Sequence, residues 1–261
     1  QLDHLRAARL IKIDGTFKIV TKPHKQLFTI HSNIGNPDED VSTPLCYVLM
    51  SGKRKVDYVA VLQKLKSEVE KDGRPMKLEC VLMDFEIAFW QAVEEVFGRD
   101  VRRRGCWFHF TQAIYMKVNN LKLSQTYHTK GGFYIMVRRL MCLAMVDDTN
   151  IENLFLYLKA RYSEEINSNA QVKKFFDYFE ETWISGKFYS PADWCCYRED
   201  TRTNNELENW NGQIWHSGGK KKLHIYLLAE LLHKDAIGYF DRFLLEPENT
   251  TKKKQRTGTE S

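Results

Sequence analysis

Asp14 and Asp84 stand where a carboxylate is costly. Asp14 closes the alternating segment Leu10-Ile11-Lys12-Ile13, and Asp84 ends the nearly continuous apolar run from Leu78 to Met83. Taken singly, each is explained by a turn or a helix start, because Asp favours Asp-Gly turns and helix N-termini. On neighbouring strands of one sheet the two would lie close together, where like charges resist ionisation unless a cation sits between them. A divalent metal resolves that conflict. Magnesium takes a few carboxylate oxygens and leaves its other positions to water and substrate phosphate, so two or three acids on separate elements suffice. Two such ions about 4 Å apart activate an attacking water or hydroxyl and stabilise the leaving oxygen of a phosphodiester. The third acid is needed late in the chain, where Arg202-Thr203-Asn204-Asn205-Glu206-Leu207-Glu208-Asn209-Trp210 offers Glu206 and Glu208. Two residues apart, these lie roughly 200° apart around a helix, so both cannot face the same ions.

Cys106-x-x-His109 is a second chemical pair, at a strand-to-helix turn. Its spacing suits half of a structural zinc site. His216, His224 and His233 are the residues available to complete one, but no second closely spaced Cys/His pair exists, and Cys195-Cys196 are adjacent. The favoured expectation is a supporting role, with His109 hydrogen-bonded near the acids.

The elements that must position these residues follow from hydropathy period. Leu10–Asp14, Phe17–Thr21, Leu27–His31 and Leu45–Met50 read as strand segments, and short connections such as Asp14-Gly15, Lys22-Pro23 and Gly35-Asn36-Pro37 suggest an antiparallel meander. After Gly52 the period changes to helical, with Val56, Val59, Leu62, Leu65 and Val69 on one face. A buried strand to Met83, a helix through Ile87, Trp90, Val93 and Phe97, a basic strand Val101–Cys106 and a helix from near Phe108 complete an α/β pattern whose later connections are crossovers. From about residue 122 to 200 every period is helical, which predicts an all-α block set into the α/β domain, with Phe175, Phe176, Tyr178, Phe179 and Trp183 as its own core rather than a base-stacking surface. A helix through Glu208 and Trp210 and a long one from His224 to Leu245 follow, and residues 249–261 read as a basic disordered tail.

Composition limits the function classes. The chain has 261 residues, 43% hydrophobic, and no apolar run near the ~20 residues that span a bilayer, so neither a disordered tail nor a membrane protein fits. Six cysteines without framework spacing read as reduced thiols. The formal net charge is only +5, yet the positive residues are grouped as Lys53-Arg54-Lys55, Arg102-Arg103-Arg104, Lys220-Lys221-Lys222 and Lys252-Lys253-Lys254, which is compatible with a polyanion partner.

Four strings together carry a family resemblance: Ile13-Asp14-Gly15-Thr16-Phe17, Met83-Asp84-Phe85-Glu86, Gly105-Cys106-Trp107-Phe108-His109 and Arg202-Thr203-Asn204-Asn205-x-x-Glu208-x-Trp210. In this order the chain, from about residue 8 to 235, resembles the transposase domain of Mutator-like elements. That family is similar to the ribonuclease H-like DDE/D transposases and integrases. The resemblance implies an α/β fold with a ribonuclease H-like mixed sheet, strands 1–3 antiparallel and strands 4 and 5 parallel. The implied division is a core in residues 1–121, an all-helical insertion in 122–200 and completing helices in 201–248.

The resemblance further implies Asp14, Asp84 and Glu208 as catalytic carboxylates holding Mg²⁺ or Mn²⁺ in a two-metal site, with Cys106 and His109 as the family's accompanying pair. The activity implied is hydrolysis of phosphodiesters at transposon ends followed by strand transfer into target DNA, in the nucleus, by a homodimer or higher oligomer. Lys53, Arg54, Lys55, Arg102, Arg103, Arg104, Lys220, Lys221 and Lys222 are the expected phosphate contacts. No Cys/His cluster precedes Asp14, so a separate zinc-binding recognition domain is expected outside this stretch. The competing readings are a domesticated, non-catalytic transposase derivative, from which at least one acid would be expected to be lost, and an unrelated ribonuclease H-like nuclease, which would lack the insertion and the Thr-Asn-Asn-x-x-Glu string.

Overall fold

A short helix, α1 (Leu2–Ala7), leads into β1 (Leu10–Thr16), β2 (Gln26–Asn33) and β3 (Ser42–Met50), which pair antiparallel in chain order. The computed structural model of the chain describes residues 1–33 and 42–245, with side chains as far as residue 239. The turn Gly35-Asn36-Pro37, the Lys252–Lys254 cluster and the tail lie outside the described residues. Helix α2 (Lys55–Val69) then buries Tyr58, Leu62, Leu65 and Val69, a stripe at helical spacing. Strand β4 (Cys80–Met83), helix α3 (Ile87–Phe97) and strand β5 (Arg102–Gly105) follow, with β4 parallel to β1 and β5 parallel to β4.

The sheet order is β3-β2-β1-β4-β5. Alternation sends Ile11 and Ile13 of β1 to the face covered by α2 and α3, where they meet Phe28, Ile30, Leu62, Phe89 and Val93. The opposite face, with Leu27, is covered by α11 (Asn205–Ser217) and α12 (Ile225–Leu245) through Trp210, Ile214, Leu228 and Leu232. Layers on both faces explain why β2 is buried along nearly its whole length. Phe17–Thr21 does not join the sheet as a strand. It makes a single parallel bridge, Val20 with Leu223, because Ile19 and Val20 are drawn into the apolar cluster under α11 and α12.

Between the two halves lie α4 (Trp107–Asn120), α5 (Ser124–His128), α6 (Gly132–Cys142), α7 (Asp148–Arg161), α8 (Ser163–Ser168), α9 (Ala170–Phe179) and α10 (Pro191–Trp194). This helical block does not have a core of its own. Phe175, Phe176, Phe179 and Trp183 belong to one apolar cluster that runs on through Phe110 of α4 to Ile11, Ile13 and Phe28 of the sheet. Phe110 is the joint: it stacks on Trp194 with centroids 4.6 Å apart and meets Trp183 edge-on at 4.9 Å. A single π-helical turn, Glu180–Ile184, follows α9 and carries Trp183 inward onto Phe85, 4.8 Å away. Among the described residues no helix is long and apolar enough to cross a membrane.

Candidate active site

The parallel register decides where the acids fall. Leu10, Ile11 and Lys12 pair with Cys80, Val81 and Leu82, and continuing that register by two residues sets Asp14 opposite Asp84. The same continuation from Met83 opposite Gly105 sets Cys106 beside Asp84. All three therefore stand at or just beyond the carboxyl ends of the parallel strands, the edge at which open α/β sheets place their ligands.

The turn after Asp84 is clamped from below. Trp90 Nε1 donates to the Asp84 carbonyl at 2.7 Å, and Phe85 stacks on Trp90 and meets Trp183 and Tyr189 edge-on. Gly105 is required there, because a Cβ on it would stand 2.0 Å from the Phe85 ring.

Two helices bring polar side chains onto these acids. Helix α4 starts at Cys106, whose buried sulfur accepts the backbone N–H of Asn204 at 3.4 Å, while Trp107 N–H donates to the Arg202 carbonyl at 3.0 Å. The starts of α4 and α11 are thus tied together. From α4, His109 Nδ1 lies 2.5 Å from Asp84 Oδ1 and its Nε2 lies 3.2 Å from Glu208 Oε1. From α11, Asn204, Glu208 and Asn211 form one stripe at spacings of four and three residues. Asn211 Nδ2 donates to Asp14 Oδ2 at 2.6 Å, and Asn204 Nδ2 is 3.5 Å from Asp84 Oδ1. The Gly15 N–H adds a 2.7 Å bond to Asp14 Oδ1.

The electrostatics match this crowding. Burial pushes the Asp14 carboxyl above the usual range and the charge of Asp84 pushes it further, against the Gly15 N–H, His109 and Asn211. Burial also raises Glu208; His109 opposes the rise, and Asp14 and Asp84 add to it. For His109, burial works against the charged ring, but hydrogen bonding and charge from Asp84 and Cys106 more than offset it and raise its pKa to about 10. A cationic imidazolium therefore lies between two of the three acids.

Glu206 points elsewhere. Its Oε2 pairs at 2.7 Å with Nζ of Lys12, whose side chain is 1% exposed on the α11 face of β1. Beside it, His31 packs edge-on against Trp210 with both ring nitrogens buried; burial first, and then the charge of Lys12, lower its pKa to about 3. Trp210 Nε1 and Tyr47 Oη both donate to Asp235 Oδ2, at 2.8 and 3.1 Å. These contacts fix how α11 lies across the sheet. Asn204, Asn211, Lys12 and His31 are not found by looking for acids, although the Asn204–Glu208–Asn211 period is present in the sequence.

As donors the site residues fit a hard divalent cation: three carboxylates, with the buried carboxamide oxygens of Asn204 and Asn211 making no hydrogen bond. In the present side-chain arrangement no three His, Cys, Asp or Glu groups among the described residues stand close enough to hold an ion. Nor do Cys106 and His109 gather His216 of α11, His224 just before α12 or His233 of α12, all three of which are exposed.

The expected phosphate contacts divide sharply. Lys53 pairs with Glu86, Arg54 with Asp57, Lys55 with Glu95, Arg102 with Glu199 and Arg103 with Glu94. Arg104 is buried against Glu199 and the Thr201 carbonyl, so its cation faces inward and it is a structural arginine rather than a surface contact. Lys220, Lys221 and Lys222 are exposed and form no ion pair among the described residues.

Fold and site thus describe an α/β protein with acids gathered at the carboxyl ends of parallel strands. Residues 10–113 match the family model of the MULE transposase domain. The match spans β1 to the middle of α4 and so includes Asp14, Asp84, Cys106 and His109, while Glu208 lies beyond it. No curated protein matches the chain.

Proposed function

We propose that this chain is the catalytic core of a cut-and-paste DNA transposase, cutting phosphodiesters at transposon ends and joining them to target DNA. The observation that carries the reading is the convergence of Asp14, Asp84 and Glu208, from β1, the end of β4 and α11, around His109. The strand order β3-β2-β1-β4-β5, with three antiparallel strands followed by two parallel ones, supports a ribonuclease H-like core into which residues 122–200 are inserted. Helix α11 then returns to supply the third acid.

Asp14, Asp84 and Glu208 would hold Mg²⁺ or Mn²⁺, which supplies an activated water or 3′-hydroxyl and a Lewis acid for the leaving oxygen. The chain's own groups prepare that site. Asn211 and the Gly15 N–H fix both oxygens of Asp14, and Asn204 and His109 fix Asp84. His109 balances the negative charge in the absence of other cations and keeps Glu208 turned toward Asp84. Partial burial of Asp14 limits water at the reacting centre, which strengthens each of these interactions. DNA is the substrate in this reading, a homodimer or higher oligomer the assembly that pairs two ends, and the nucleus the place of action.

The test is a cleavage and strand-transfer assay on labelled transposon-end DNA with Mg²⁺ or Mn²⁺, comparing the native chain with Asp84→Ala. Metal-dependent nicking and joining, lost in Asp84→Ala, is the expected result. DNA binding without cleavage in either metal would favour a non-catalytic, transposase-derived binding protein instead.

A further inference from the structure

Two segments far apart in sequence, both free of acidic residues, meet beside the site. Residues 15–37 follow Asp14, and residues 209–229 follow Glu208. Their described parts are joined by the Val20–Leu223 bridge, by Leu223 N–H donating to the Ile19 carbonyl at 2.8 Å, and by Thr21 Oγ1 donating to the Leu223 carbonyl at 3.1 Å. The bridge sets the chain around Lys18 and Lys22 alongside the chain around Lys221 and Lys222. All four side chains and Lys220 are exposed, and none pairs with a carboxylate among the described residues.

The lysine turn is built, not loose. Helix α11 ends with Gly219 at φ +75°, Gly219 N–H donating to His216 and Lys220 N–H to Trp215, both at 2.9 Å, the closure that satisfies the last helical carbonyls. Lys220 itself is held at φ 54°, in the left-handed region that strains a side-chain-bearing residue. Holding like charges together at a strained turn is unfavourable in the free protein and becomes favourable when an anion lies across them. Phe17, 61% exposed, stands between Asp14 and Lys18, about 10 Å of chain from the acid at ~3.3 Å per residue. An exposed aromatic next to unpaired cations is the pairing that single-stranded nucleic acid sites use, ring for base and lysine for phosphate.

We propose that Phe17, Lys18, Lys22, Lys220, Lys221 and Lys222 form the track that carries a DNA strand away from the acids, whereas the cations at 53–55 and 102–104 are each already paired with a carboxylate of this chain. The assignment rests on the transposase reading for the identity of the polyanion and adds where the strand runs.

The test measures binding of a fluorescein-labelled, random-sequence duplex bearing a single-stranded 3′ overhang, in EDTA, as a function of salt. Three chains are compared: native, Lys220→Gln/Lys221→Gln/Lys222→Gln, and Arg54→Gln/Lys64→Gln/Arg102→Gln, which removes the same charge from ion-paired sites. Each neutralised phosphate contributes about 0.9 to the slope of log K against log salt, so the first variant should flatten the slope by roughly 2 to 3 and the second by well under 1. Phe17→Ala should weaken overhang binding severalfold and leave blunt duplex binding unchanged. Circular dichroism melting establishes that each variant is folded. Equal slopes for the two triple variants, or a larger loss in the second, would overturn the track. No binding by the native chain at low salt would instead overturn the transposase reading itself.

Discussion

His109 Nδ1 is 2.5 Å from Asp84 Oδ1, and the opposite nitrogen of the same ring reaches Glu208, 99 residues further along the chain. One imidazole thus joins an acid at the end of β4 to an acid on α11. If the site cuts DNA as proposed, that contact ties cleavage to the position of α11, and the residues holding α11 on the sheet become testable parts of the site.

Asn211 fixes Asp14 through one short bond. Asn211→Ala removes it without altering any acid. Loss of an orienting partner of this kind costs about 10- to 100-fold in activity or metal affinity. Turnover in the cleavage assay should fall by that factor with thermal stability unchanged, and isothermal titration with Mn²⁺ should show correspondingly weaker binding.

Glu206 and Glu208 should separate cleanly. Glu206 pairs with the buried Lys12, so Glu206→Gln takes away the carboxylate from an interior cation. Fully buried pairs lose ~3–5 kcal/mol on such a change; the half-exposed carboxylate here reduces that to about 2 kcal/mol. Chemical denaturation should record that loss, while cleavage per folded molecule persists. Glu208→Gln should do the opposite.

Gly105→Ala would place a methyl group into the Phe85 ring. Overpacking of this kind costs about 1–3 kcal/mol. Because Phe85 underlies Asp84, the variant should also lose cleavage beyond its loss of melting temperature. Phe85→Leu in the Gly105→Ala background, which relieves the clash, should recover stability.

His31 makes folding acid-sensitive. The unfolded side chain binds a proton below pH 6.5, the folded one only below about 3, so the unfolded state holds more protons throughout that window. Stability contributed by the neutral buried ring is complete above pH 6.5 and falls as pH drops toward 3, by about 5 kcal/mol in all. Urea titrations from pH 7 to 4 should show this decline, and His31→Leu should flatten it.

Much of the frame is legible in residue order. The alternation ending at Asp14 and the apolar run ending at Asp84 mark strands whose parallel register sets the two acids opposite one another. Helical period around Glu208 separates it from Glu206, which lies on Lys12. What escaped was tertiary. Phe17–Thr21 has strand-like residues, yet Ile19 and Val20 gain more by burial under α11 and α12 than by pairing in the sheet. The aromatics of residues 175–183 look self-sufficient because periodicity cannot reveal that Phe110 and Phe85 are their partners. Basic runs look alike in sequence, and only the ion pairs distinguish Arg102–Arg104 from Lys220–Lys222. Asn211 acts on an acid 197 residues away, a distance no local pattern spans.

The proposed chemistry requires Asp14, Asp84 and Glu208 to act as one metal-binding catalytic unit. The most direct measurement is Mn²⁺-dependent nicking of labelled transposon-end DNA by Asp14→Asn, Asp84→Asn, Glu208→Gln and Glu206→Gln, each shown to be folded. The first three should lose nicking by at least about a thousandfold, with double variants no worse than single ones, as for groups that act together. Glu206→Gln should retain it. Full activity in Glu208→Gln with loss in Glu206→Gln, or nicking that survives any one of the three acid replacements, would contradict it.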